Sequence, residues 1–83
     1  MKTIWKYPLK LMLQQSVEIP QYSTILTAQV QNEIICLWVE HYQQSDLYKK
    51  QVYIVGTGDE IPAGASKYIN TVQIREFVFH IYS

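Results

Sequence analysis

The sequence predicts an all-β protein, a small antiparallel barrel or sandwich of six to seven short strands. Three observations support this fold class. Apolar and polar residues alternate with a period of two along most of the chain. Turn residues recur about every ten positions, and no segment shows the sustained helical period of about 3.6 residues. The 83 residues allow only one domain, which we expect to span residues 1–83.

The first two strands are predicted near the N-terminus, where odd positions are mostly apolar and even positions mostly polar. Pro8 interrupts this alternation. Because proline has no N–H to donate to a β-ladder, we place Pro8 at an edge or a bend. The pattern predicts one strand over Thr3–Tyr7 and a second over Met12–Ile19, with Pro20 ending the second.

The next two strands are predicted to form a hairpin. Ser23–Gln31 alternates again, and the dipeptide Asn32-Glu33 separates it from Ile34–Tyr42, which predicts a tight two-residue turn. Glu33 suits this turn less well than Gly would, which leaves a longer turn as the alternative. The segment Ile34–Val39 is apolar on both faces, as expected of a central strand or of one that also meets a partner subunit. The residues of the third strand predicted to share its apolar face are Leu26, Ala28 and Val30.

The C-terminal half contains the last three predicted strands. Gln43–Lys50 is polar and charged, which is typical of a loop, and Gln51–Val55 follows as a short strand. Thr57–Ser66 contains glycine and proline and is predicted to be a second loop. The final hairpin is predicted to comprise Tyr68–Ile74 and Phe77–Tyr82.

Composition excludes several classes of partner. Seven Lys and Arg balance seven Asp and Glu, so there is no general attraction to nucleic acid or to an anionic membrane, and we expect neither as a partner. Lysines interrupt the N-terminal segment, which therefore predicts neither a signal peptide nor a membrane span. The single cysteine, Cys36, lies in an apolar run, which excludes an internal disulfide and predicts a buried thiol.

Common catalytic motifs are absent from the sequence. There is no G-x-S-x-G, no H-E-x-x-H and no Walker-type phosphate loop. The two histidines, His41 and His80, belong to different predicted strands, and isolated histidines more often lie at a sheet edge or core boundary than bind a metal. Asp59 and Glu60 are adjacent, so on an extended backbone they would point in opposite directions. We therefore predict that the protein is not an enzyme and binds neither a metal nor a cofactor.

Gly56-Thr57-Gly58 is the most suggestive short motif. Glycines at the end of a strand allow backbone amides to approach an anion closely, and the Thr57 hydroxyl can donate as well. The alternative interpretation is a turn that only reverses the chain. Lys67 and Tyr68 end the same predicted loop, and they add the charge and the aromatic ring that a clamp for a phosphate and a base would need.

The chain also resembles a known family. The similar segments are Thr3-Ile4-Trp5-Lys6-Tyr7-Pro8-Leu9, Ile25-Leu26, Val30-Gln31-Asn32, Leu37-Trp38, Gly56-Thr57-Gly58, Lys67-Tyr68-Ile69 with Thr71 and Gln73, and Val78-Phe79-His80. On these segments the chain resembles a family of short bacteriophage and prophage proteins of unknown function. The sequence departs from the family pattern at Glu33, where members tend to have Gly, and at Asp59, where they tend to have His. The resemblance implies a small phage protein made in the host bacterial cytoplasm.

These observations favour a non-catalytic, homo-oligomeric binding protein. By analogy with small phage proteins, it would be a host-takeover or anti-defence factor that sequesters a nucleotide-like anionic ligand at a subunit interface. The candidate ligand-binding residues are Gly56, Thr57, Gly58, Lys67, Tyr68 and Arg75, with Trp5 and Tyr7 as stacking residues. Two alternatives stay open: an inhibitor that docks on a host protein through an edge strand or aromatic patch, and a minor virion or assembly component. A second copy is expected because so short a chain would leave one apolar face of Ile34–Val39 uncovered.

Overall fold

The computed structural model describes residues 1–43 and 46–83, which form seven antiparallel strands in two sheets. The strands are β1 (Lys2–Pro8), β2 (Gln14–Pro20), β3 (Thr24–Gln31), β4 (Ile34–Tyr42), β5 (Leu47–Gly56), β6 (Tyr68–Ile74) and β7 (Phe77–Tyr82). The first sheet has the order β1-β4-β3 and the second the order β2-β5-β7-β6. The predicted all-β fold is confirmed, and it is a sandwich rather than a closed barrel. No helix that could cross a membrane occurs among these residues.

The strands lie close to their predicted positions, with one substantial correction. β5 begins at Leu47, so Leu47–Lys50, predicted to be loop, belong to the strand. These residues pair with β2 in a continuous register from Pro20↔Leu47 to Gln14↔Tyr53. The charged composition was misleading because pairing with a neighbouring strand overrides local β-propensity. Gln44 and Ser45, which belong to the same predicted loop, lie outside the described residues.

Pro8 and Pro20 lie in β1 and β2, which are edge strands of their sheets and each have a neighbouring strand on one side only. The Leu9 amide donates to the Ile35 carbonyl at 2.8 Å, so the odd-numbered residues of β1 bond to β4. The position of Pro8 therefore faces the open edge, where its missing N–H removes no ladder bond. The same alternation places Pro20 on the outer edge of β2. The predicted edge position of Pro8 is confirmed.

The β3–β4 hairpin has the predicted two-residue turn. Gln31 pairs with Ile34, and both turn residues have positive φ, 52° at Asn32 and 63° at Glu33. Positive φ at both positions is typical of the type I′ turn, whose twist matches that of the flanking strands. Asn32 tolerates this conformation better than Glu33 does, because a short polar side chain can hydrogen-bond locally.

A β-bulge in β3 corrects the predicted orientation of its side chains. The register with β4 shifts between Ile25 and Thr27, so Ile25 packs on the core together with Ala28 and Val30. Leu26, predicted to face inward, is instead exposed. One extra residue in a strand reverses the alternation on one side of it. The sequence did not reveal the bulge because Ile25 and Leu26 are both apolar.

The core lies between the two sheets, and β4 supplies its centre. Ile35, Leu37 and Val39 face the second sheet and are fully or almost fully buried. The opposite face of β4 is partly covered by the chain itself, because the Lys6 ammonium of β1 donates to the Gln31 amide oxygen of β3 at 2.6 Å. This bridge passes over the central strand, where Cys36 is buried. The predicted buried thiol is confirmed. Self-association stays a prediction, since Cys36 needs no second copy to cover it.

One side of the sandwich is closed by a side chain rather than by strand pairing. The Asn70 amide of β6 donates to the Ala28 carbonyl at 2.7 Å and to the Thr27 hydroxyl at 3.1 Å. β3 and β6 are edge strands of different sheets, so this amide takes the place of a backbone ladder between them. A register shift in β6 between Tyr68 and Asn70 accompanies the contact.

Candidate functional site

A pocket of about 320 Å³ opens at the end of the sandwich where β5 begins. It exists because the neighbouring strands differ in length. β7 ends at Tyr82, which pairs with Tyr53, whereas β5 continues back to Leu47 with only β2 beside it. The beginnings of β3 and β6 form the remaining walls. The volume lies near the lower end of the range for small-molecule sites.

The floor and walls of the pocket are apolar and aromatic. Ile19 is buried beneath it, while Ile25 and Ile69 are half-buried at its sides. Two tyrosines complete the lining, Tyr48 from the inward face of β5 and Tyr68 from the start of β6. A planar ring can pack on such a surface, because aromatic side chains combine a large apolar area with a polar tip.

Three residues of the pocket carry polar groups that bear on ligand binding. Lys50 reaches it from β5 and is half-buried, and Lys67 reaches it from the start of β6 and is exposed. Neither the Lys50 nor the Lys67 ammonium has a carboxylate within 4.0 Å among residues 1–43 and 46–83, where the ion pairs are formed by other residues. The Ser23 hydroxyl oxygen is buried and has no hydrogen-bond partner among the described residues. Two ammonium groups and a hydroxyl are the donors that a phosphate-like anion needs.

The Gly-Thr-Gly motif forms a turn where β5 ends, and its residues do not line this pocket. The Asp59 amide donates to the Gly56 carbonyl at 3.0 Å and Gly58 has φ of 92°, as in a type II turn. The Thr57 amide donates to the Val78 carbonyl at 3.4 Å. The amides of Thr57 and Asp59 are thus already engaged within the protein. The interpretation as a turn explains this geometry better than the interpretation as an anion cradle.

A chain of hydrogen bonds connects the turn to Tyr68. The Thr57 hydroxyl lies 2.7 Å from His80 Nε2, and His80 Nδ1 lies 2.9 Å from the Thr71 hydroxyl. Thr71 in turn lies 2.6 Å from the Tyr68 hydroxyl. Each hydroxyl can donate or accept, so either neutral tautomer of His80 is satisfied. With Tyr82 packed edge-on at 5.6 Å between ring centroids, these contacts fix the position of the Tyr68 ring.

Six of the eight predicted ligand-binding residues lie outside the pocket, namely Gly56, Thr57 and Gly58 of the turn together with Arg75, Trp5 and Tyr7. Arg75 follows the far end of β6, roughly 20 Å along the strand from Tyr68. Its Nε donates to the Glu33 carboxylate at 2.8 Å, which joins the turns of the two hairpins. Trp5 and Tyr7 lie on β1, the edge of the first sheet farthest from β3. Neither lines the pocket.

The side chains of Trp5 and Tyr7 have structural surroundings of their own. Trp5 packs edge-on against His41, with 4.4 Å between ring centroids, and remains half exposed. The Tyr7 hydroxyl is buried without a hydrogen-bond partner among the described residues, and burial raises the pKa of this phenol. His41 lies on the core-facing side of the first sheet, whereas His80 lies on the outer face of the second sheet.

The structure thus brings together Lys67 and Tyr68 and links them to Thr57 through His80. Sequence reasoning missed Ser23, Tyr48 and Lys50 in the pocket. The period-two pattern that continues from Val52 back through Lys50 and Tyr48 was the available signal, but it was outweighed by the charged composition of that segment. Nothing in the sequence indicated Ser23, since it faces the pocket only because β3 packs beside β6.

The comparisons with known proteins identify a family without an activity. The family described as Domain of unknown function (DUF7352) matches residues 1–83, and the chain belongs to it. No curated protein and no solved structure matches the chain.

Proposed function

We propose that this member of the DUF7352 family is a non-catalytic protein that sequesters a nucleotide-like anionic ligand. The observation that supports this function is the pocket at the start of β5. Two ammonium groups and a buried hydroxyl, which have no partners among the residues that the structure describes, lie over an apolar, tyrosine-lined floor. An anion attached to a planar ring matches both halves of this lining.

The two halves would recognise different parts of the ligand. Lys50 and Lys67 would donate charge-assisted hydrogen bonds to a phosphate, and the Ser23 hydroxyl would supply a third donor. The Tyr48 and Tyr68 rings would pack on a base or another planar group. His80 and Thr71 would act as positioning residues, because they hold the Tyr68 hydroxyl through short hydrogen bonds. Sequestration needs only tight binding, since a bound ligand is withdrawn from its other targets.

We further propose that the protein is encoded by a phage or prophage and acts in the host bacterial cytoplasm. In that setting a sequestered nucleotide-like compound would be a host signal or metabolite, which makes the protein a host-takeover or anti-defence factor. The resemblance described above supports this setting. A homo-oligomer would fit the same role, because the mouth of the pocket is open and a second subunit could cover the ligand.

Calorimetric titration with a panel of cyclic and linear nucleotides tests the proposed function. We expect saturable heat with at least one member and weaker binding as salt increases, because the recognition is partly between charges. Titration with ribose or a free base, which lacks the phosphate, is the matched control and should give no heat. Absence of heat with every nucleotide would reject the proposal.

A second candidate function is inhibition of a host protein without any small ligand. The supporting observation is the edge strand β1, on which Ile4 and Trp5 expose about half of their surface. Exposed apolar side chains on an unpaired edge are suited to docking another protein. This function would be favoured by a negative calorimetric result together with a host protein that binds the wild type and loses binding to Trp5→Ser.

A further inference from the structure

The end of the sandwich opposite the pocket has an acid-rimmed apolar groove. The groove encloses about 440 Å³ where β5 ends, and it is lined by the β1–β2 connection, Ile54 and Phe79. Asp59 and Glu60 lie along one side of it. We call this surface the acidic groove. It is formed by other residues than the ligand pocket, so it requires a separate explanation.

The apolar part of the acidic groove is unusually exposed. Leu11, Met12 and Leu13 are consecutive and are 66%, 48% and 53% exposed. Single exposed apolar residues are ordinary on a protein surface, whereas a contiguous group of them marks an interaction site. Methionine suits such a site because its flexible side chain adapts to the shape of a partner.

The charged side of the groove defines the chemistry of that partner. Asp59 and Glu60 are both exposed, and over the described ranges neither carboxylate has a cation within 4.0 Å. Neighbouring carboxylates beside an apolar floor favour a partner that presents an apolar side chain flanked by cations. A surface of the chain itself carries an apolar side chain flanked by cations.

The edge strand β1 has this arrangement. Lys2, Ile4 and Lys6 alternate along the strand, so they project from the same face, and Ile4 is 53% exposed. The contacts of the two lysines are weak, since Lys2 lies 3.7 Å from the Glu40 carboxylate on the surface and Lys6 donates to a neutral amide. Within residues 1–43 and 46–83, no strand pairs with the other side of β1.

We propose that β1 of one copy docks into the acidic groove of a second copy of this chain. Ile4 enters the apolar floor, while Lys2 and Lys6 pair with Asp59 and Glu60. Two different surfaces meet in this contact, so each copy has one of each free for another neighbour, and repetition produces a ring or an open chain. This contact uses residues outside the ligand pocket, so it is separate from any contact in which a second subunit covers the pocket, and it does not depend on the proposed function.

Charge reversal tests the contact. The double variants Lys2→Glu/Lys6→Glu and Asp59→Lys/Glu60→Lys each place like charges on both surfaces, and each should sediment as the 9.8 kDa monomer. The wild type should sediment as a multiple of that mass. An equimolar mixture of the two variants should again form oligomers, because each then meets a complementary surface on the other. Glu18→Lys/Lys49→Glu, which exchanges charges on the outer face of the second sheet, is the matched control and should behave like the wild type.

Three results would overturn the proposal, provided that circular dichroism shows each variant to be folded. A monomeric wild type across the whole concentration series excludes self-association. Charge-reversed variants that still form oligomers place the interface elsewhere. A mixture that stays monomeric shows that the two surfaces do not meet, and binding of the acidic groove to a foreign protein would then explain its exposure.

Discussion

Removal of the pocket lysines is the sharpest test of how the ligand is held. Lys50 is half-buried in the pocket, and Lys67 is exposed at its rim. A hydrogen bond to a charged group contributes about 1.5–3 kcal/mol, which corresponds to roughly a 10- to 150-fold change in Kd. We expect Lys50→Ala to lose affinity near the upper end of this range and Lys67→Ala near the lower end, because solvent screens an exposed charge more strongly.

Lys49→Ala is the matched control for this experiment. Lys49 is the sequence neighbour of Lys50, but it points to the outer face of the sheet, where it lies opposite Glu18. Removing it changes the net charge by the same amount without touching the pocket. Titration calorimetry with the best nucleotide of the panel should therefore give an unchanged Kd for Lys49→Ala.

The thermal stability of the three variants completes the test. We expect the Tm of each to stay close to that of the wild type, because none of the lysines forms an ion pair among the described residues. Equal losses of affinity in all three variants would refute the reasoning, since the net charge and not the pocket would then govern binding. Unchanged affinity in Lys50→Ala would refute the assignment of the pocket.

Three further predictions concern the fold. Gly58→Val should lower the free energy of unfolding by about 1–2 kcal/mol or more in chemical denaturation, because Gly58 has φ of 92° and a β-branched residue disfavours this conformation. The folded fraction of this variant should keep its nucleotide affinity. A loss of affinity at unchanged stability would instead favour the interpretation of the motif as an anion cradle. Asn70→Ala should cost about 1–3 kcal/mol, because the Ala28 carbonyl loses its 2.7 Å donor and keeps only the longer 3.4 Å contact with the Thr27 hydroxyl. An unchanged midpoint would show that β3 and β6 are held by other contacts. Tyr7→Phe should be neutral or stabilising because it removes a buried hydroxyl that has no hydrogen-bond partner in the described part of the chain. Burial raises the pKa of the Tyr7 phenol above its ordinary value of 10.0, so the folded state disfavours ionisation of this group. The stability of the wild type should therefore fall as the pH rises past the ordinary tyrosine pKa, and the stability of Tyr7→Phe should fall less. Equal dependence of stability on pH in the two proteins would contradict this role of Tyr7.

The sequence predicted the strands well because the signals it used are local. Side chains alternate across a strand whatever strand lies beside it, so the period-two pattern located β3, β4, β6 and β7 to within about two residues. The turn at Asn32-Glu33 followed from its length and from the tolerance of Asn32 for positive φ. Pro8 was placed at an edge because the missing N–H is a property of the residue itself.

Local signals failed where a neighbouring strand decided the outcome. Leu47–Lys50 became part of β5 because β2 lies beside it, and the bulge at Ile25 is visible only in the register with β4. Arg75 was predicted as a candidate ligand-binding residue together with Lys67 and Tyr68. An extended strand instead separates Arg75 from Tyr68 by nearly its full length.

By itself, the sequence determined the all-β class, most strand positions and the membership of the family. Only the tertiary structure decided where a ligand pocket could exist. The pocket depends on the unequal ends of β5 and β7 and on the packing of β3 beside β6, which bring Ser23, Lys50 and Lys67 to one opening. Strand pairing and sheet packing join residues far apart in the chain, so no periodicity along the sequence records which of them meet.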